Sequence, residues 1–440
     1  MSLTTIYSLL PPDPTTELWL CWITESNEGS LTLDYGTDPG SLSQSVSATS
    51  ASIPSGTGER LYQARLSALT PGETYYYGVS GLFGPGDVLP ARTFPAALAT
   101  ALKFVTLSDI HIELRPGTFQ EPEDMDPVGA EMPDMLVMPG DLVRSNITAF
   151  SAPNLVWWRR FMEEYLPRAS VSRLVPVILF GGNHEYGNNS WDGETFQNSD
   201  FDGTPAHFFF PNTVQIEPVG ERYGTVKIGD YFQLVGLDTH ATRPLEVGAW
   251  LRDGVIDPEM LFCLPVSHSP FFGAANRSAG DPDLQQRHRD GSLRALIEAP
   301  NVYFTICGHV HRFSRSLPLG IAETDPGAVE KVALSDLSGN PDGWIVSQPG
   351  GLIEIGQGYL SDRSPSATPM IAFETGGQAS FNVITLDSDK VRVETKDASG
   401  GFLWAQSWPF TDVPSGAVTV QSGGDWVSGA LRVQSGGDWA

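Results

Sequence analysis

Phe104-Val-Thr-Leu-Ser-Asp-Ile-His111 sets a nearly continuous apolar run directly against an Asp-x-His pair. Four more segments repeat this juxtaposition. Met135-Leu-Val-Met138 leads to Gly140-Asp141, and Val177-Ile-Leu-Phe180 leads to Gly182-Asn183-His184-Glu185. Leu261-Phe-Cys-Leu264 precedes Ser267-His268-Ser269, and Val302-Tyr-Phe-Thr-Ile306 precedes Gly308-His309-Val310-His311. Runs this short and this apolar read as strands covered on both faces. Helical candidates at Leu155–Tyr165 and Asp290–Ala299 lie between them, the second ending against Pro300. Strands alternating with helices give an α/β class, and sites in such sheets form just beyond the carboxyl ends of the strands.

Five of the eight histidines lie inside these motifs, so the chemistry is concentrated rather than scattered. Neutral imidazole is a common nitrogen ligand, and carboxylate and amide oxygens suit harder divalent cations. A mixed nitrogen and oxygen set from five strand ends is what two adjacent metal ions need.

Outside this region the pattern changes. Residues 1–97 read as an all-β unit. Glu17-Leu-Trp-Leu-Cys-Trp-Ile23 and Arg60-Leu-Tyr-Gln-Ala-Arg-Leu66 are rich in β-formers, and Asp38-Pro39-Gly40 and Pro71-Gly72 supply turns. Leu69-Thr-Pro-Gly-Glu-Thr-Tyr-Tyr-Tyr-Gly-Val79 resembles a corner of fibronectin type III sandwiches. Residues 98–412 form the motif-bearing domain and return to β character at Phe381–Leu386 and Val391–Glu394. Residues 413–440 hold an identical repeat, Val420-Gln-Ser-Gly-Gly-Asp-Trp426 and Val433-Gln-Ser-Gly-Gly-Asp-Trp439. Two copies are too few for a solenoid. They read as an appended hairpin with two Trp anchors, suited to contacts with a particle or another subunit.

At 440 residues with 40% hydrophobic content, the chain can bury more than one core. Its formal charge of −26 argues against nucleic acid or an anionic membrane as a general surface partner. Cys21, Cys263 and Cys307 are too few and too scattered for a disulfide framework, and the last two sit in apolar runs as core residues. Met1-Ser-Leu-Thr-Thr-Ile6 lacks a basic segment and a long apolar one, so no secretory signal is expected. No apolar run approaches the roughly 18 residues of a membrane span.

The five motifs, in this order and on these strands, resemble the calcineurin-like metallophosphoesterase family. With the sandwich in front, residues 1–410 resemble bacterial relatives of the purple acid phosphatases. The resemblance implies a four-layer β-sandwich flanked by helices, preceded by the all-β fibronectin-like sandwich. It implies that Asp109, His111 and His311 hold one divalent metal and that Asn183, His268 and His309 hold a second, with Asp141 bridging both. A metal-activated hydroxide would then hydrolyse phosphomonoesters or phosphodiesters. His184 would face the substrate, stabilising the transition state or protonating the leaving group, with Glu185 either orienting it or lying solvated in the loop.

One departure matters. Purple acid phosphatases carry a Tyr ligand shortly after the Gly-Asp motif, whereas Gly140-Asp-Leu-Val-Arg-Ser145 has none. That disfavours a tyrosinate-bound ferric site and favours divalent Mn, Fe, Zn or Co. Of the remaining residues, His207 reads as a structural or pocket-rim group and His288 as a surface residue. His240 follows a strand, Arg144 is either a phosphate contact or an ion-pair partner, and Asn188–Phe210 reads as a loop over the site. A phosphate ester is the expected substrate. The competing reading is a virion attachment or structural protein, because the C-terminal repeat weakly resembles tailed-phage tail proteins. The expected location is accordingly a virion or, failing that, the cytoplasm.

Overall fold

The computed structural model describes residues 3–54, 58–112, 121–143, 152–182, 184–185, 205–211, 223–237, 249–270, 292–309, 311, 313–324, 327, 331–335, 341–357, 371–375, 379–410, 417–422 and 425–430. All five motif-bearing apolar runs form strands: Leu102–Thr106, Met135–Met138, Pro176–Leu179, Phe262–Ser267 and Phe304–Cys307. The first three pair in parallel, with Met135 opposite Phe104 and Leu136 opposite Val177. The last two also pair in parallel, with Ser267 opposite Cys307. These registers bring the motif ends to one edge of the molecule.

Each group sits in a large sheet. In the twelve-stranded sheet, the three parallel strands are flanked on one side by Ser380–Leu386, Lys390–Asp397 and Phe402–Pro409. The seven-stranded sheet runs from Tyr223–Ile228 through Phe232–Leu237, Phe262–Ser267, Phe304–Cys307 and Ile353–Gly356 to Phe313–Ser316 and Ile371–Thr375. The two sheets pack face to face. Phe104, Val137, Ile178 and Phe180 of one meet Phe232, Leu264, Val266, Phe304 and Ile306 of the other. The Phe104 and Phe232 rings lie 4.9 Å apart.

Helices cover the outer faces. Ala152–Arg160 continues through a π-wound turn at Phe161–Tyr165 into Leu166–Ala169, and Leu155, Trp158, Phe161 and Tyr165 bury against the first sheet. Across the molecule, Leu293 and Leu296 of Ser292–Glu298 bury with Val235, Leu237 and Cys263. Helix, sheet, sheet and helix make the four-layer α/β architecture. A small sheet of Leu319–Ala322, Pro341–Ser347 and Lys331–Ser335 borders the second sheet. All three cysteines are free and buried.

The N-terminal unit is all-β and antiparallel, with Trp22 stacked on Tyr62 at 5.6 Å inside it. Its attachment is a finding that the change in sequence character near residue 97 does not disclose. Leu3–Leu9 pairs in parallel with Pro176–Leu179, placing Leu9 opposite Val177, so the first sheet runs unbroken from one unit into the other. Tyr7, Leu9, Trp19, Cys21 and Ile23 join one core with Val105, Leu136 and Leu179. Tyr7 Oη donates to the Phe209 carbonyl at 2.9 Å, and Thr5 Oγ1 donates to that of Met162 at 3.0 Å. At the opposite end, the hairpin Ala417–Ser422 and Asp425–Ala430 extends the same sheet beside Phe402–Pro409. Residues 420–422 and 425–426 of the first repeat copy lie in this hairpin, while the second copy, 433–439, lies outside the described residues.

Candidate metal centre

The motif residues leave their strands in a backbone conformation that side chains usually avoid. Asp109, His111, Asp141, His309 and His311 have φ of 57°, 48°, 55°, 69° and 58°. Among the described residues only Ala68 and Met132 otherwise share a positive φ without being glycine. Such strain persists only where neighbouring structure holds it, and it gathers at functional sites. Here the neighbouring loops do the holding. Asp109 N–H donates to the Gly140 carbonyl at 3.0 Å, His111 N–H to that of Asp141 at 3.2 Å, and Gly308 N–H to that of His268 at 2.9 Å. Gly308 is required by close approach, because a Cβ there would lie 2.6 Å from Asp109 Oδ2 and collide with Ser108 Oγ.

The side chains converge in two groups sharing one carboxylate. Asp109, His111, Asp141 and His311 bring their ligand atoms together, and Asp141, His268 and His309 do the same. In the first group His311 Nε2 stands 3.3 Å from His111 Nε2 and 3.4 Å from Asp109 Oδ1. In the second, His268 Nε2 lies 3.2 Å from both Asp141 Oδ2 and His309 Nδ1. Asp141 Oδ2 is buried and accepts no well-formed hydrogen bond, yet the ring nitrogens of His111, His184 and His268 stand within 3.9 Å of it. A buried carboxylate oxygen in that condition is costly unless a cation completes its surroundings. The donor set, imidazole nitrogen with carboxylate oxygen, fits divalent transition metals.

The surroundings tune these groups. His268 Nδ1 sits 2.7 Å from the Pro139 carbonyl, which fixes the ring and turns Nε2 towards Asp141. Burial would raise the Asp141 carboxyl, but His268, His184 and His111 hold it well below the usual carboxylate range. Burial raises Asp109 and drives His111 well below its ordinary value, leaving that imidazole neutral with a lone pair to give. Burial also depresses His268, but the charges of Asp141 and Asp109 carry it up to about 9 without a cation. A metal held by His268 would take the place of that proton.

His184 differs from the buried set. Its side chain is 17% exposed, its Nε2 lies 3.9 Å from Asp141 Oδ2, and its ring stands edge-on to His111 at 4.7 Å. Its backbone N–H donates to Asp141 Oδ1 at 2.9 Å. It borders the centre with its ring partly exposed.

Glu185 does not lie solvated in the loop. It is buried, and its carboxylate accepts the N–H groups of Asp141, Gly182 and Leu142 at 2.7, 2.7 and 2.9 Å. Its work is to clamp the Gly140-Asp141 and Gly182 turns together. Burial and the Asp141 charge push it up to about 7, against the pull of those N–H donors. His207 lies on Pro205–Phe209, whose Phe209 buries in the core around Tyr7. Asn183, Arg144, His240 and His288 lie outside the described residues, as do residues 188–204 of the expected loop.

Two family models match the chain. Residues 102–313 match the calcineurin-like phosphoesterase model, and residues 6–87 match the N-terminal domain of purple acid phosphatase. A search of curated protein sequences gave no match. Among solved structures, that of PhoD is similar with a TM-score of 0.60 and 13% identity, covering 92% of this chain and 90% of that one. At that identity the likeness shows a shared fold. GAP50, the anchor in the inner membrane complex of Plasmodium, matches at 0.44 and 12%, covering 71% of this chain and 90% of that one. The chain carries a calcineurin-like phosphoesterase domain behind a purple acid phosphatase N-terminal domain.

Proposed function

We propose that the protein is a binuclear metal-dependent phosphoesterase that hydrolyses phosphomonoesters or phosphodiesters. The observation that carries this reading is Asp141, one buried carboxylate shared by two ligand groups. Asp109, His111 and His311 would hold one divalent cation, and His268, His309 and Asn183 the other, with Asp141 common to both. Mn, Fe, Zn and Co all suit this donor set. Two such cations supply Lewis acidity towards a phosphoryl oxygen and lower the pKa of an attacking water.

The chain's own residues do the rest. Glu185 and the Gly308 close approach hold the ligand loops in register. His184, partly exposed beside Asp141, is placed to give a proton to the departing oxygen. The net charge of −26 repels an anionic substrate at long range, and cations in the centre reverse that field locally. No helix among the described residues is long and apolar enough to cross a membrane. A role in attaching a virion, or in contacts between subunits, rests on the C-terminal repeat alone. The repeat's hairpin extends the sheet that carries the motif strands, so the two readings are compatible.

The test is metal analysis coupled to a panel of mono- and diester substrates. The expected result is hydrolysis that chelation abolishes and metal restores. Protein that stays inactive across the panel after loading with Mn, Fe, Zn and Co would overturn the reading.

A further inference from the structure

Four strands facing the space between the two sheets change character at the same level. Leu102 and Phe104 give way to Thr106, and Leu386 and Ile384 to Asn382. Val391 and Val393 give way to Thr395, and Ile353 and Ile355 to Gln357. Alternation along a strand calls for an apolar side chain at each of these positions. All four are instead polar and fully buried. The level at which this happens is the end where the ligands sit. Thr106 is three residues before Asp109, and Gln357 N–H donates to the carbonyl of Cys307, two residues before His309, at 2.9 Å.

The four side chains bond to one another across the sheets. Gln357 Oε1 accepts from Thr106 Oγ1 and from Asn382 Nδ2, each at 2.7 Å. Asn382 Oδ1 accepts from Thr395 Oγ1 at 2.7 Å, and Asn382 Nδ2 also approaches Thr106 Oγ1 at 3.2 Å. The arrangement ties the strand before Asp109 to the end of Ile353–Gly356, which lies in its sheet between the strand before His309 and the strand after His311. Yet Gln357 Nε2 is buried with no hydrogen-bond partner among the described residues. A half-satisfied buried polar network is poorer for stability than apolar side chains filling the same space. Stability therefore does not account for Gln357, whereas a fixed distance between the Asp109 and His309 loops does.

We infer that Gln357 and Thr106 are positioning residues for the metal centre, setting the separation of the ligand loops on the two sheets. This rests on the proposed metal-dependent function. The test compares wild type with Gln357→Met, Thr106→Val and Thr106→Ser as full-length proteins. Metal dissociation constants are measured by chelator competition with Mn and Zn, alongside the melting temperature of the metal-free proteins and kcat and KM. Groups behind metal ligands typically contribute about 10- to 100-fold in affinity. Gln357→Met and Thr106→Val should weaken metal binding at least about 10-fold and lower kcat more than KM. The metal-free melting temperature of Thr106→Val, which leaves Asn382 Nδ2 bonded to Gln357 Oε1, should stay near wild type. That of Gln357→Met, which strands two buried donors, should fall. Thr106→Ser, which keeps the hydroxyl, should behave as wild type. If Gln357→Met fails to fold, Thr106→Val, which removes only the hydroxyl, carries the comparison. Wild-type metal affinity in a folded Gln357→Met or Thr106→Val would overturn the inference alone. Wild-type protein that binds no metal would overturn the function proposed above and this inference with it.

Discussion

Replacing Glu185 tests whether the clamp, rather than any service to His184, is what this residue supplies. Its Oε2 accepts two backbone N–H groups, from Asp141 and Gly182, and its Oε1 accepts a third from Leu142. In Glu185→Gln an amino group must replace one of these oxygens. If it replaces Oε1, the Leu142 N–H faces another donor; if it replaces Oε2, two N–H groups do. At pH 8, above the value near 7 to which burial and Asp141 raise Glu185, at least one charge-assisted bond is lost, worth about 1.5–3 kcal/mol, and those that survive weaken with the charge. A total near 3 kcal/mol in the local opening of these turns follows, on the order of 100-fold in an opening equilibrium. Glu185→Ala leaves all three buried donors unpaired and should cost more. The assay is native-state hydrogen exchange by mass spectrometry on peptides covering residues 139–143. The strand Phe262–Ser267, in the other large sheet, serves as the internal control. Glu185→Gln should speed exchange at Asp141 and Leu142 on the order of 100-fold, leave the control unchanged and reduce metal content. Unchanged exchange with a loss confined to kcat would refute the reasoning and return Glu185 to His184.

Further outcomes follow from the same geometry. His184→Ala should lower turnover about 100- to 10,000-fold while metal content stays at the wild-type level. The loss should be smaller for nitrophenyl than for alkyl phosphates, because a good leaving group needs little protonation. Gly308→Ala forces a methyl group against Ser108 and Asp109, so metal content measured after gel filtration should fall sharply. A fragment spanning residues 98–410 should aggregate or melt far below the full chain. It loses the partner of Pro176–Leu179 and uncovers the core that Tyr7, Leu9, Trp19 and Ile23 share with Val105 and Leu136. A soluble fragment with the full-length melting temperature would contradict that.

What could be read before the structure was what local pattern encodes. Strands buried on both faces are continuous apolar runs, so Met135–Met138 and Phe304–Cys307 declared themselves, and the residues after them stood out by chemistry. The four-layer stacking follows from such strands needing cover on both sides. Pairing over long separations left no such trace. Nothing in Leu3–Leu9 distinguishes a sandwich edge from a strand bonded to residues 176–177, which is why the shared sheet was not foreseen. Glu185 was visible, but its partners Asp141 and Leu142 lie 44 and 43 residues upstream, so its role was not. Asn382 interrupts Phe381-Asn-Val-Ile-Thr-Leu386 in plain view, yet only the fold brings Gln357 and Thr106 to it.

The most direct measurement is the metal content of wild type and Asp141→Asn, each loaded with Mn or Zn, freed of excess and analysed for metal per chain. Because Asp141 belongs to both ligand groups, the account predicts close to two metals per chain in the wild type. It predicts a loss at both positions in Asp141→Asn. A wild type that saturates at one metal, or an Asp141→Asn variant that keeps both, would contradict it.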